Sequence, residues 1–251
     1  FKNSKIQSFI VACIFWYHRK RRSFYDQIDH YICLNENQIK LLKNIGFDEN
    51  KITKKYNFVP DVEANLKAMK LENLPDRYVV FYGRIGEEKG IRILMDIWNQ
   101  IMDIPLVVMG GGPLEEEFKT WSDQHSNVYF LGYTQHDRCL SIVKGGEFVV
   151  FPSIWYEGCS MVEIEAESLG KGLIATNLGF SSEAIENARN GYKVKLGDSR
   201  DFVNQIRRLW NNEAECKKIG ENARLDYEQK YTPEDNYRQL IAIYKSMGAD
   251  V

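Results

Sequence analysis

From residue 77 onward the apolar positions of this chain change period at regular intervals. Short runs of β-branched and aromatic residues recur at 77–83 (RYVVFYG), 105–110 (PLVVMG), 128–132 (VYFLG), 147–153 (EFVVFPS) and 172–177 (GLIATN). Such runs read as strands covered on both faces. Between them apolar residues return at helical spacing, in GIRILMDIWNQI (90–101), PLEEEFKTWSDQ (113–124), QHDRCLSIV (135–143) and a helix starting at Ser160. A short strand, YKVKL (192–196), and three helices finish the chain. Ahead of residue 77 the pattern predicts a helix over 4–27, a strand at 30–34 and a helix over 35–46. Asn35 can cap that second helix and Gly46 can end it. KYNFVPD (55–61) reads as a linker, with Pro60 restricting its backbone.

Strand and helix in strict alternation require crossover connections and hence a parallel sheet. The expected fold class is α/β, a Rossmann-like doubly wound sheet. Ligands of such sheets sit beyond the carboxyl ends of the strands, so every loop leaving a strand is a candidate.

Composition narrows the field. The 251 residues are 44% hydrophobic and 27% charged, with a net charge of −2, which gives no reason to expect a nucleic-acid partner. Cys13, Cys33, Cys139, Cys159 and Cys216 lie far apart, in no metal-binding or disulfide pattern, which fits a reducing cytoplasm. FIVACIFWY (9–17) is too short to span a bilayer, which takes roughly 20 apolar residues. It reads either as a buried or half-buried helix with a basic end, or as a membrane-surface contact through Arg19, Lys20, Arg21 and Arg22. The chain opens on Phe1, and its first residues read as the interior of something longer.

Three loops carry candidate chemistry. In GRIGEEKG (83–90), Arg84 and Lys89 flank a strand end and a helix start, where cations and free amides can hold a phosphate; the plainer reading is a solvated turn. GGGP (110–113) lacks dinucleotide-binding spacing, and Glu115, Glu116 and Glu117 behind it would repel a pyrophosphate, so a tight turn is expected. In FPSIWYEGCSMVEIEAESLG (151–170), Ser160 and Glu163 form a capping box. At helical spacing Glu163 and Glu167 fall about 200° and 240° from Met161, on a face open to water. Glu165 falls about 40° from Met161, inside the apolar stripe, where a carboxylate is costly unless paired. It is either bonded to backbone in the core or turned into a cleft toward a ligand's hydroxyls. Glu157, Gly158 and the amides near Met161 and Val162 favour the cleft. Two carboxylates for hydroxyls and a helix start for phosphate suit a sugar nucleotide.

These residues carry a resemblance. Glu157 and Glu165 make an E-x7-E pair, and GRIGEEKG, GGGPLEEE, VYFLGY, FPSIWYEGCSMVEIEAESLGKGLIATN and GYKV follow in the order of retaining GT-B glycosyltransferases, most closely glycosyltransferase family 4. The likeness covers roughly residues 77–230. It implies the C-terminal half of a GT-B fold preceded by a partial N-terminal domain. The expected divisions are 1–61, the remnant of an acceptor domain with its linker; 62–231, the nucleotide-sugar-binding domain; and 232–251, a helix returning toward the N-terminal domain. By position, Arg84 and Lys89 would bind the donor diphosphate, and Glu157 the donor sugar, aided by amides at Gly158, Cys159 and Ser160. Amides at Met161 and Val162 would meet phosphate, Glu165 the ribose, and Tyr133 would lie beside the base. The sequence departs from the family at Gly172, at Phe180, expected to narrow or reshape the cleft, and at Cys159.

The resemblance implies a retaining hexosyltransferase acting on a nucleotide-diphosphate sugar, a UDP-sugar, without metal or other cofactor. It would serve cell-surface polysaccharide synthesis, with a glycan or lipid-linked acceptor, in the cytoplasm or at the inner membrane face, and this piece alone could be inactive. The alternatives are a GT-B protein that binds nucleotide sugar without transfer, and an NAD-dependent Rossmann oxidoreductase.

Overall fold

The computed structural model describes residues 4–62, 66 and 74–250. The chain divides into two compact units, Phe1–Lys55 with Gln239–Val251, and Tyr56–Arg238.

In the first unit, helix α1 (Lys5–Lys20) starts where the Ser4 side chain accepts from the Gln7 amide, and α2 spans Ser23–Asp26. The expected single helix over 4–27 is broken at Arg22, whose φ of 53° is left-handed. Strand β1 (Tyr31–Cys33) pairs in parallel with β2 (Ile52–Lys54), and α3 (Glu36–Asn44) lies between them in sequence. Asn35 Oδ1 accepts from the Gln38 amide at 2.8 Å, and Gly46 closes the helix at φ 91°. The reading of 9–17 as a buried or half-buried helix is corrected. No residue of α1 is buried, and Phe9, Phe15 and Trp16 stand largely exposed. No helix among the described residues is long and apolar enough to cross a membrane.

The second unit is built on six parallel strands: β3 (Val79–Tyr82), β4 (Leu106–Met109), β5 (Val128–Phe130), β6 (Val149–Phe151), β7 (Leu173–Thr176) and β8 (Gly191–Val194). Their order is β5-β4-β3-β6-β7-β8. The chain steps outward from β3 to β5, then returns to the other side of β3, where Val80 pairs with Val149 of β6. Alternate side chains of β3 enter opposite cores. Val79 and Phe81 join Leu94 and Trp98 of α4 (Ile91–Trp98), Phe118 of α5 (Glu115–Ser122) and Phe202 of α9 (Ser199–Asn211). Tyr78, Val80 and Tyr82 join Leu140 and Val143 of α6 (His136–Gly145) and Ala166 of α7 (Met161–Ser168). Helices on both faces make the sheet doubly wound, as the alternation predicts. Helices α8 (Ser181–Ala184), α10 (Glu213–Lys230) and α11 (Pro233–Ser246) complete the chain.

Helix α10 packs on α7, which corrects two expectations. Glu163 and Glu167 are 0% and 1% exposed rather than facing water. A helix wheel separates an oily side from a wet side, but α7 lies between the sheet and α10 and has no wet side there. Gly172 admits α10 closely, since a Cβ built on it would lie 2.4 Å from Ile219 Cγ2. Phe180 does not shape a cleft either. It is fully buried, with ring centroids 5.9 Å from Tyr56 and 6.0 Å from Tyr231.

Candidate functional site

The carboxyl ends of β3, β4 and β5 and the start of α7 surround a cleft of about 410 Å³. After β3, Gly83 and Arg84 lead into a 3₁₀ turn (Glu87–Lys89) and then Gly90, whose φ is 71°. A Cβ on Gly90 would lie 1.9 Å from the Pro152 carbonyl oxygen, so only glycine lets this turn rest on the end of β6. The turn delivers Lys89 to the loop after β6, where its Nζ lies 2.6 Å from Glu157 Oε1 and 5.3 Å from the Phe151 ring centroid. The Ser153 hydroxyl donates to the Glu88 carbonyl at 3.0 Å, and the Phe180 amide to the Glu157 carbonyl at 3.0 Å. The Lys89–Glu157 pair therefore sits in a loop tied down on both sides.

The GGGP segment is a tight turn. A Cβ on Gly110 (φ 143°) would lie 1.8 Å from the Gly83 carbonyl oxygen, so the β3 and β4 loops pack backbone on backbone. Glu115 Oε2 accepts from the Gly112 amide at 3.3 Å, and the Leu114 amide donates to Ile85 O at 3.0 Å. A carboxylate stands where a dinucleotide pyrophosphate would need bare amides, which removes the physical basis of the NAD reading.

Helix α7 begins at Ser160, whose hydroxyl accepts from the Glu163 amide at 3.4 Å. The reciprocal bond of a capping box is replaced by another: Glu163 Oε1 accepts from Ser181 Oγ at 2.9 Å. Glu163 Oε2 and both Glu167 carboxyl oxygens have no partner among the described residues. Burial pushes the Glu163 carboxyl up to about 8, against the hydrogen bond from Ser181. Burial and then Asp226 hold the Glu167 carboxyl well above the carboxylate range.

Glu165 alone of the three acids meets the cleft, with its side chain 14% exposed. His136 Nε2 lies 2.9 Å from its Oε1. Beneath it the Tyr82 hydroxyl donates to the Val162 carbonyl at 2.7 Å, and burial, then Glu165, raises this hydroxyl well above 10. Cys139 in the same wall is pushed up to about 12, mainly by burial.

Of the residues singled out from sequence, Arg84, Tyr133, Met161, Val162 and Glu165 line this cleft. Tyr133 is 83% exposed at its rim. Lys89 and Glu157 form their own pair, and Gly158, Cys159 and Ser160 link Glu157 to α7. The Cys159 thiol is buried and pushed up to about 12, so what this residue can offer the cleft is backbone. Tyr82 and His136 were missed. Tyr82 carried a signal, a hydroxyl on the last residue of a buried strand. For His136, an exposed residue opening a helix, the sequence held none.

The sequence pattern of the family described as glycosyl transferases group 1 matches residues 62–226. O-antigen chain mannosyltransferase C of Escherichia coli is 28% identical over 180 residues, 70% of this chain and 48% of that one. The capsular polysaccharide biosynthesis glycosyltransferase CapM of Staphylococcus aureus is 27% identical over 208 residues, 79% of this chain and 50% of that one. The chain thus spans about half the length of these curated relatives. Among solved structures, HepE of Anabaena in complex with UDP-glucose aligns with a TM-score of 0.74, over 87% of this chain and 64% of that one, at 20% identity, a likeness of fold. With its six parallel strands, its GT-B structural neighbours and a family pattern spanning most of its length, the chain belongs to the glycosyl transferases group 1 family.

Proposed function

We propose that this chain is the donor-binding part of a glycosyltransferase that takes a sugar from a nucleoside diphosphate, a UDP-sugar, in polysaccharide synthesis. One observation carries the reading: a carboxylate, Glu165, is held half-buried on a rigid helix with the cleft as its outlet, and the cation Arg84 lines the same cleft. Glu165 receives the ribose hydroxyls, and Tyr133 lies beside the base. Arg84, Lys89 and the amides of Met161 and Val162 take the diphosphate. Glu157, steadied by Lys89, positions the donor sugar with the amides of Gly158, Cys159 and Ser160.

Departure of the diphosphate is the step that needs help, because negative charge builds on its oxygen as the sugar–oxygen bond breaks. Two cations and a helix start supply that help without a metal. The acceptor hydroxyl attacks the same face of the sugar and passes its proton to the leaving phosphate, so configuration is retained. The acceptor in this reading is a glycan or a lipid-linked sugar, as the names of the polysaccharide-building relatives support. The bound UDP-glucose of HepE supports a uridine donor. Exposed Phe15 and Trp16 next to Arg19, Lys20, Arg21 and Arg22 support contact with an anionic lipid surface.

Calorimetric titration with UDP, GDP and ADP tests the reading. UDP should bind wild type. Glu165→Gln should lose about 10- to 100-fold, since hydrogen bonds to a charged group are worth about 1.5–3 kcal/mol each. Arg84→Ala should weaken UDP similarly without lowering stability, because this side chain is largely exposed. Equal UDP affinity in all three proteins refutes the assignment, and tighter NADH than UDP binding would restore the oxidoreductase.

A further inference from the structure

The Glu165 carboxylate has a partner of unequal standing. His136 Nε2 sits 2.9 Å from Oε1, but the His136 side chain is 65% exposed against 14% for Glu165. Glu165 is fixed by its place on α7, whereas His136 opens α6 at the cleft wall and can swing into water. An exposed pair of this kind is worth up to about 1 kcal/mol, little enough for a ligand to break. A ribose presents two neighbouring hydroxyls, and a carboxylate takes both by using both of its oxygens. While His136 holds Oε1, it occupies a lone-pair site on the side that one of the hydroxyls would approach.

We propose that His136 is a latch on the ribose site, a side chain that an incoming nucleotide must displace from Glu165. This inference rests on the donor-binding reading above.

The test is titration of UDP, with GDP and ADP in parallel, into wild type, His136→Ala and His136→Gln. His136→Ala should bind the tightest of the three nucleotides about 3- to 5-fold more strongly than wild type. His136→Gln keeps a hydrogen-bond donor for Oε1 and should bind as wild type does. If the three proteins bind nucleotide equally, or if His136→Ala binds more weakly, the latch is overturned alone. If none of the three nucleotides binds any of the proteins, the donor-binding reading falls and takes the latch with it.

Discussion

Replacing Glu163 by glutamine should make this protein more stable in mild alkali while leaving it nearly unchanged in acid. The Glu163 side chain is fully buried, with one oxygen bonded to Ser181 Oγ and the other unpartnered among the described residues. Burial lifts its pKa from 4.5 to about 8. The folded state therefore binds this proton more tightly than the unfolded chain does. Its stabilising contribution is complete below pH 4.5, declines as pH rises, and is gone above about pH 8. At about 1.4 kcal/mol per pH unit, that rise amounts to roughly 5 kcal/mol across the window. Glutamine keeps an oxygen for Ser181 and cannot ionise. Urea unfolding followed by tryptophan fluorescence at steps from about pH 5 to 8.5 should give curves that nearly coincide at the acid end. They should separate by several kcal/mol at the alkaline end, with Glu163→Gln the more stable. Glu167, shifted the same way, leaves a residual slope that Glu163→Gln with Glu167→Gln should flatten further. Profiles of wild type and Glu163→Gln that stay within about 1 kcal/mol of each other throughout would refute the claim that Glu163 is buried as a neutral acid.

Three further outcomes are expected. Gly90→Ala should cost at least about 2 kcal/mol in urea unfolding, because its φ is left-handed and its Cβ would overlap the Pro152 carbonyl; a cost under about 0.5 kcal/mol would show that the turn is free to move. Phe180→Ala should cost about 3–5 kcal/mol, as for other large buried aromatics, yet change UDP affinity less than about twofold; the reverse pattern would return Phe180 to the cleft. Vesicles rich in anionic lipid should sediment wild type at low salt, and Arg19→Ala, Lys20→Ala, Arg21→Ala and Arg22→Ala together should lower that binding more than tenfold, at about 1 kcal/mol per basic residue; equal binding to neutral vesicles would sink the electrostatic account.

The sheet was legible because a strand covered on both faces writes an unbroken apolar run, and β3, β4, β6 and β7 are such runs. The wheel set Glu165 inside an apolar stripe, yet it is the most exposed of the three acids on α7 and meets the cleft there. Glu163 and Glu167 were misread because a wheel knows nothing of a second layer, and α10 arrives from some fifty residues downstream. The Phe180 error has the same source, since Tyr56 and Tyr231 bury its ring from far along the chain. Arg22 broke the first helix by adopting a left-handed backbone, which no local pattern announces for an arginine. His136 left no trace, because an exposed residue obeys no periodicity and its meaning comes from what lies across the cleft.

The strand order has a kinetic corollary. On one side β3 pairs with β4, the next strand in the chain, but its other neighbour, β6, follows only after β4, β5 and the helices that follow each. At ribosomal rates of about 5–20 residues per second, several seconds pass with one long apolar edge of a half-built sheet unpaired. During that interval the edge is a template for a stray strand from another chain. Arg84 exists before the interval and Glu165 only after it. Slow emergence of β6 should therefore favour aggregation of nascent chains, and chaperone capture should concentrate on chains stalled between the two halves.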